Sequence, residues 1–204
     1  MVVVASLGGL PVIKTVLRGL PDTFFLPVLI VLHGMRNENR DRLAWLLQRQ
    51  TGLPVRTARH GVSALLPGVT VIPGGFLATI DSGHQICLAE GRFTGGDGLL
   101  TSAAATAGPG AVIGVVLTGM LHDGAAGARA VKRRGGSVLA QDPATARAPS
   151  MPSSAIATGC VDYVLPPDRI AAALTALTRA PDRAASPTVP SPPAATAPAG
   201  HYPR

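Results

Sequence analysis

The chain has 204 residues, 47% of them hydrophobic and 3% aromatic, enough for one well-buried core and too short for two full domains. Its formal net charge of +7 suits an acidic partner, but no basic stripe with stacking aromatics accompanies it, so no nucleic-acid partner is expected. The only cysteines, Cys87 and Cys160, exclude a disulfide-dense scaffold and a Cys-rich zinc site, and both are expected to be reduced, buried small hydrophobes.

Met1 leads straight into Val2-Val3-Val4 with no basic segment ahead, so no signal peptide is expected. The longest apolar run, residues 24–32, contains Pro27 and is too short to span a bilayer. A cytoplasmic protein without stable membrane insertion follows as the expectation.

In chain order, Val2–Ala5 is a continuous apolar run led by β-branched residues and reads as a buried strand. Residues 10–20 follow with Ile13, Val16, Leu17 and Leu20 at helical spacing, and Pro11 suits a first turn where its missing N–H is not needed. Residues 27–32 read as the second strand and 40–50 as an amphipathic helix. Arg36, Arg40, Arg42, Arg49, Arg56 and Arg59 cluster in and around it as a solvated basic face. Residues 69–72 and 85–89 read as strands whose closeness suggests a hairpin or edge element. Residues 112–117 are the most apolar strand, backed by a helix over 124–134. Later strands are expected at 137–140 and 161–165, and later helices at 152–158 and 168–179.

Strands without polar alternation, separated by helices, predict a doubly wound, mostly parallel sheet covered on both faces, a three-layer α/β/α domain over residues 1–180. Residues 181–204 are rich in Pro, Ala, Ser and Thr, have no periodic apolar face, and are expected to form a disordered tail.

Active sites of such sheets form beyond the carboxyl ends of the strands. Three reactive side chains fall there. Ser6 follows the first strand and precedes Gly8-Gly9 and a helix, where it could be a nucleophile beside free helix N–H groups or simply a turn or cap serine. His33 ends the second strand, where it could be a general base or a packed or capping histidine. Asp123 lies after the most apolar strand, where it could orient an imidazole, N-cap the helix from Gly124, or do both. His122, next to Asp123, is the rival base. His60 and His84 fall in turn-like segments.

The same residues carry a family resemblance. Val4-Ala5-Ser6-Leu7-Gly8-Gly9 resembles the nucleophile turn of the chemotaxis protein-glutamate methylesterases (CheB type), and Val31-Leu32-His33 resembles their base-bearing strand. Leu117-Thr118-Gly119-Met120, followed by Asp123-Gly124-Ala125-Ala126-Gly127, is similar to their most specific motif. Ala140-Gln141-Asp142 and Met151-Pro152 continue the pattern, which covers residues 2–177.

The resemblance implies a catalytic domain without a receiver domain. It implies hydrolysis of glutamate γ-methyl esters on methyl-accepting chemoreceptor-like proteins, with deamidation of receptor glutamines as a companion activity and no cofactor or metal. It carries Ser6 over as nucleophile, His33 as base and Asp123 as orienting acid, with Leu7 and Met120 near the site and able to offer backbone N–H groups to an oxyanion. Three segments depart from the pattern. Leu7 stands where the family has Thr, Gly75-Phe76-Leu77 where it has Asp-x-His, and Phe93-Thr94-Gly95-Gly96-Asp97-Gly98 where it has Arg-Pro-Ser-x-Asp. Those departures motivate a second expectation, a catalytically degenerate domain that binds a signalling partner without turnover. A third is an esterase or deamidase acting on a protein outside chemotaxis.

Overall fold

A computed structural model describes residues 1–34, 41–91 and 95–179 of the chain. The expected tail at 181–204, and Arg36, Arg40, Phe93 and Thr94, lie outside the described residues.

The elements in order are β1 (Val2–Ala5), α1 (Gly9–Gly19), β2 (Val28–Leu32), α2 (Arg42–Gln48), β3 (Val55–Thr57), β4 (Val69–Val71), β5 (Phe76–Ile80), β6 (Ile86–Glu90), α3 (Gly96–Thr106), β7 (Ile113–Val116), α4 (Ala125–Arg133), β8 (Ser137–Gln141), α5 (Ser150–Ile156), β9 (Tyr163–Leu165) and α6 (Pro167–Arg179). Seven strands form one parallel sheet in the order β3-β4-β2-β1-β7-β8-β9. The doubly wound α/β architecture expected from the unbroken apolar runs is therefore present.

The alternation of side chains along each strand sets the two cores. Val3 and Ala5 of β1 join Ile13, Val16 and Leu17 of α1, Leu43 and Leu47 of α2, and Ile170 and Leu174 of α6 on one face. Val2 and Val4 point to the other face, among Leu99, Leu100 and Ala103 of α3, Ala128 and Val131 of α4, and Met151 and Ala155 of α5. Each fully buried Leu, Ile or Val contributes about 1.5–3 kcal/mol by leaving water, and these aliphatic side chains dominate both cores, with Phe24 the one aromatic among their described buried residues. The close approach of α3 and α4 depends on glycine: a Cβ on Gly127 would sit 2.5 Å from Leu100 Cβ.

Several expectations need correction. Residues 69–72 and 85–89 do not pair with each other. The first forms β4, a parallel strand inside the main sheet, and the second forms β6, which makes an antiparallel hairpin with the unforeseen β5. Strand β9 starts at Tyr163, two residues later than expected, and lies at a sheet edge. Cys87 and Cys160 are free, as expected, but half-buried rather than buried, because both sit outside the two cores' interiors. No helix among the described residues is long and apolar enough to cross a membrane.

The chain winds outward from β1 to β2 and β4 on one side, then returns to place β7 on the other side of β1. The carboxyl ends of β1 and β7 thus flank the point where the strand order reverses, the place where such sheets open a crevice.

Candidate active site

Ser6 is the first residue beyond β1. Its backbone N–H donates to Thr118 O at 2.9 Å, and its carbonyl accepts from Gly9 N–H at 2.8 Å, closing a tight turn into α1. Gly8 stands in that turn at φ 80°, a conformation that favours glycine. His33 is the first residue beyond β2, the strand beside β1, and its N–H donates to Ala5 O at 2.9 Å. Neighbouring strands run about 4.8 Å apart, so Ser6 and His33 are side by side at the sheet rim.

Asp123 reaches the same rim from the loop after β7. Its Oδ2 lies 2.9 Å from His33 Nε2, with both side chains largely withdrawn from water. The contact is close without the alignment of a full N–H···O hydrogen bond. His122 is exposed, and it is His33 that faces the carboxylate.

The Asp123 side chain does not cap α4, as its position before Gly124 suggested. Its two oxygens accept instead from the first turn of α3, Gly96 N–H at 2.9 Å and Asp97 N–H at 2.8 Å. Asp97 returns the arrangement, its Oδ1 accepting from Gly124 N–H at 2.9 Å and Gly127 N–H at 2.7 Å at the start of α4. Burial works to raise the Asp123 carboxyl, but the His33 contact and the N–H groups of Asp97 and Gly96 outweigh it and hold the group below the ordinary carboxylate range. Asp97 goes the other way. Its own burial and the negative charge of Asp123 push it up, against the two N–H bonds from α4. Sequence reading passed over Asp97. The available signal was that Phe93-Thr94-Gly95-Gly96-Asp97 ends in the same residue as the Arg-Pro-Ser-x-Asp segment it replaces.

Buried Thr118 ties the rim together. Its Oγ1 accepts from Ala148 N–H at 2.9 Å and lies 3.0 Å from Leu7 O, its nearer acceptor, while its N–H donates to Gln141 Oε1 at 2.9 Å. Gln141 is itself fully buried and donates onward to Thr145 O. Thr118 and Gln141 thus fix three loops with one hydroxyl and one amide. Leu7 and Met120 are exposed on either side of Ser6, and the backbone N–H of each donates to no acceptor among the described residues. The space between these loops is tight, since a Cβ on Gly119 would meet Met151 Sδ at 2.0 Å and Ser6 Cβ at 2.7 Å.

A doubly wound parallel sheet with a serine, an imidazole and a buried carboxylate gathered at its switch point defines the class: a three-layer α/β domain with a polar site at the carboxyl rim. The chain belongs to the CheB methylesterase family, whose model matches residues 1–174. It is 39% identical over 191 residues to the protein-glutamate methylesterase/protein-glutamine glutaminase 2 of Anaeromyxobacter dehalogenans (strain 2CP-C), covering 88% of this chain and 53% of that protein. It is 38% identical over 178 residues to the protein-glutamate methylesterase FrzG of Myxococcus xanthus, covering 84% of this chain and 52% of that protein. The crystal structure of the Thermotoga maritima CheB methylesterase catalytic domain superposes with a TM-score of 0.78 at 31% identity, covering 86% of this chain and 96% of that one. The chain spans about half the length of the curated relatives it matches.

Proposed function

We propose that this chain is a serine carboxyl-ester hydrolase acting on glutamate γ-methyl esters of chemoreceptor-type proteins, with glutamine deamidation as a companion reaction. The observation that carries the reading is the His33–Asp123 contact of 2.9 Å at the rim where Ser6 adjoins His33. The names of the relatives, protein-glutamate methylesterase and protein-glutamine glutaminase, supply the substrate class.

In this reading Ser6 Oγ attacks the ester carbonyl while its proton passes to His33 Nδ1, the ring nitrogen that does not face Asp123. Ionised Asp123 holds the ring and balances the imidazolium. The unpaired N–H groups of Leu7 and Met120 receive the oxyanion as the tetrahedral intermediate forms. His33 then gives its proton to the departing methoxide, and methanol leaves. Water, deprotonated by the same ring, attacks the acyl-enzyme, which breaks down to glutamate and free Ser6.

The test is methanol release from methylated receptor membranes by wild type and Ser6→Ala, together with labelling of Ser6 by a fluorophosphonate. Release above the Ser6→Ala background and labelling of Ser6 are the expected results. Equal rates from the two proteins, with no label on the folded chain, would replace this reading with that of a partner-binding domain without turnover.

A further inference from the structure

Arg147 stands beside the Ser6 turn without an acidic partner among the described residues. Its neighbour Ala148 is held twice: its N–H donates to Thr118 Oγ1 at 2.9 Å, and its carbonyl accepts from Gly119 N–H at 2.9 Å. Met151 N–H adds a third bond from the same segment, to Gly119 O at 3.0 Å. The backbone that carries Arg147 is therefore locked to the rim. Its stem crosses Gly8, two residues beyond Ser6, so closely that a Cβ on that glycine would lie 2.7 Å from Arg147 Cβ and 3.1 Å from Cδ. The side chain is exposed, and it makes no hydrogen bond or ion pair among the described residues.

Exposed apolar side chains flank the same turn. Leu7 follows Ser6, and Met120 and Leu121 follow Gly119, where an added Cβ would lie 2.7 Å from Ser6 Cβ; the three are 45%, 58% and 64% exposed. Leu121 also has φ 67°, a left-handed conformation that costs a leucine about 1–2 kcal/mol. Strain of this kind persists only where surrounding structure enforces it, and it gathers at functional loops. An arginine beside three exposed aliphatic side chains matches a peptide segment with apolar residues on one side and carboxylates on the other. Nucleic acid would call for stacking rings, and this rim presents leucine and methionine.

We propose that Arg147 determines substrate specificity by pairing with a carboxylate that flanks the scissile ester, while Leu7, Met120 and Leu121 take the apolar side of the same acidic, amphipathic segment. The inference rests on the hydrolase reading for the ester, and on the rim alone for the charge preference. A guanidinium offers planar, bidentate recognition of carboxylate that a lysine reproduces only in charge, so the two cations are separable.

The experiment uses two fluorescein-labelled helical peptides of equal length, each with one γ-methyl glutamate, flanked at three and four residues by Glu in one and by the uncharged Ala in the other. Binding is read by anisotropy on the Ser6→Ala chain, and turnover by methanol release from wild type. The Glu peptide is expected to bind about fivefold tighter at low salt. That preference should fall below about twofold in Ser6→Ala/Arg147→Met, which keeps the stem, and stay intermediate with Arg147→Lys. In turnover the preference should sit in KM with kcat unchanged. Equal binding of the two peptides, or a preference that survives Arg147→Met, overturns the assignment. A charge preference in binding without any methanol release sinks the hydrolase reading and leaves Arg147 as a binding determinant.

Discussion

Asp97 and Asp123 cap each other's helices. The carboxylate that precedes α4 accepts the first N–H groups of α3, and the carboxylate in the first turn of α3 accepts N–H groups at the start of α4. Helix N-termini leave such donors unsatisfied and carry partial positive charge, so each end attracts the other's acid. The exchange fixes Asp123 in two directions before His33 is considered. It also places two carboxylates close together: burial, with the Asp123 charge adding to it, raises Asp97, while His33 and the α3 N–H groups hold Asp123 down.

Substituting Asp97 separates capping from charge. Asp97→Asn keeps an oxygen for Gly124 N–H and Gly127 N–H and removes a negative charge beside Asp123, so its stability in urea at neutral pH should stay within about 1 kcal/mol of wild type. Asp97→Ala strands both donors and should lose about 2 kcal/mol. Equal midpoints for the two variants would mean that the α4 bonds carry no weight.

The opposite shifts give opposite pH dependences. Asp123 is held below its ordinary value of 3.8, so it contributes stability that is present above that value and is lost as pH falls through its lower native value. Asp97 is raised above the same ordinary value, so its contribution is complete below 3.8 and is lost as pH rises through its native value. The stability of Asp97→Asn relative to wild type should therefore climb as pH rises from 3.8 through the raised native value of Asp97. Chemical denaturation across that range checks it, and a flat difference would contradict the raised Asp97.

The parts of the fold legible in sequence were those whose signal is local. β1, β2 and β7 are runs without polar residues and rich in β-branched ones, and α1 and α4 carry clear apolar faces. Helix α3 was missed because Gly96, Gly98 and a run of small residues leave the face of Leu99, Leu100 and Ala103 poorly set off from its surroundings; it is held by contact with β1, β5 and α4. β3 has only three residues, and β3 and β5 follow Pro54 and Gly74-Gly75, which read as turn residues. At the site, Ser6 and His33 stand at strand ends and Asp123 in the loop that follows β7, where position announces them. Asp97 and Thr118 act on loops distant in sequence, and only the folded chain shows which loops those are.

Thr118→Val tests the tie between those loops. Valine keeps the shape, but it leaves the buried Ala148 N–H without its acceptor and the part-buried Leu7 O without its donor. The expected loss is about 1–3 kcal/mol in urea unfolding. Labelling of Ser6 by a fluorophosphonate should also slow, since the turn and the 146–150 segment lose their common anchor. Unchanged stability would show that the hydroxyl is dispensable.

Gly96→Ala strikes Asp123 itself. A Cβ there would lie 2.6 Å from Asp123 Oδ2 and 2.3 Å from Val4 Cγ1, and Val4 belongs to the rigid strand that leads into Ser6. The carboxylate is the freer of the two, so it should be displaced from both Gly96 N–H and His33. Overpacking of this size costs about 1–3 kcal/mol, and the loss of the Asp123–His33 contact should lower turnover at saturating substrate more than it alters KM. Gly108→Ala, where an added Cβ meets nothing within 4 Å, is the matched control and should leave both quantities unchanged. If Gly96→Ala matches that control in stability and in kcat, then Asp123 tolerates displacement and its place beside His33 is not what sets the rate.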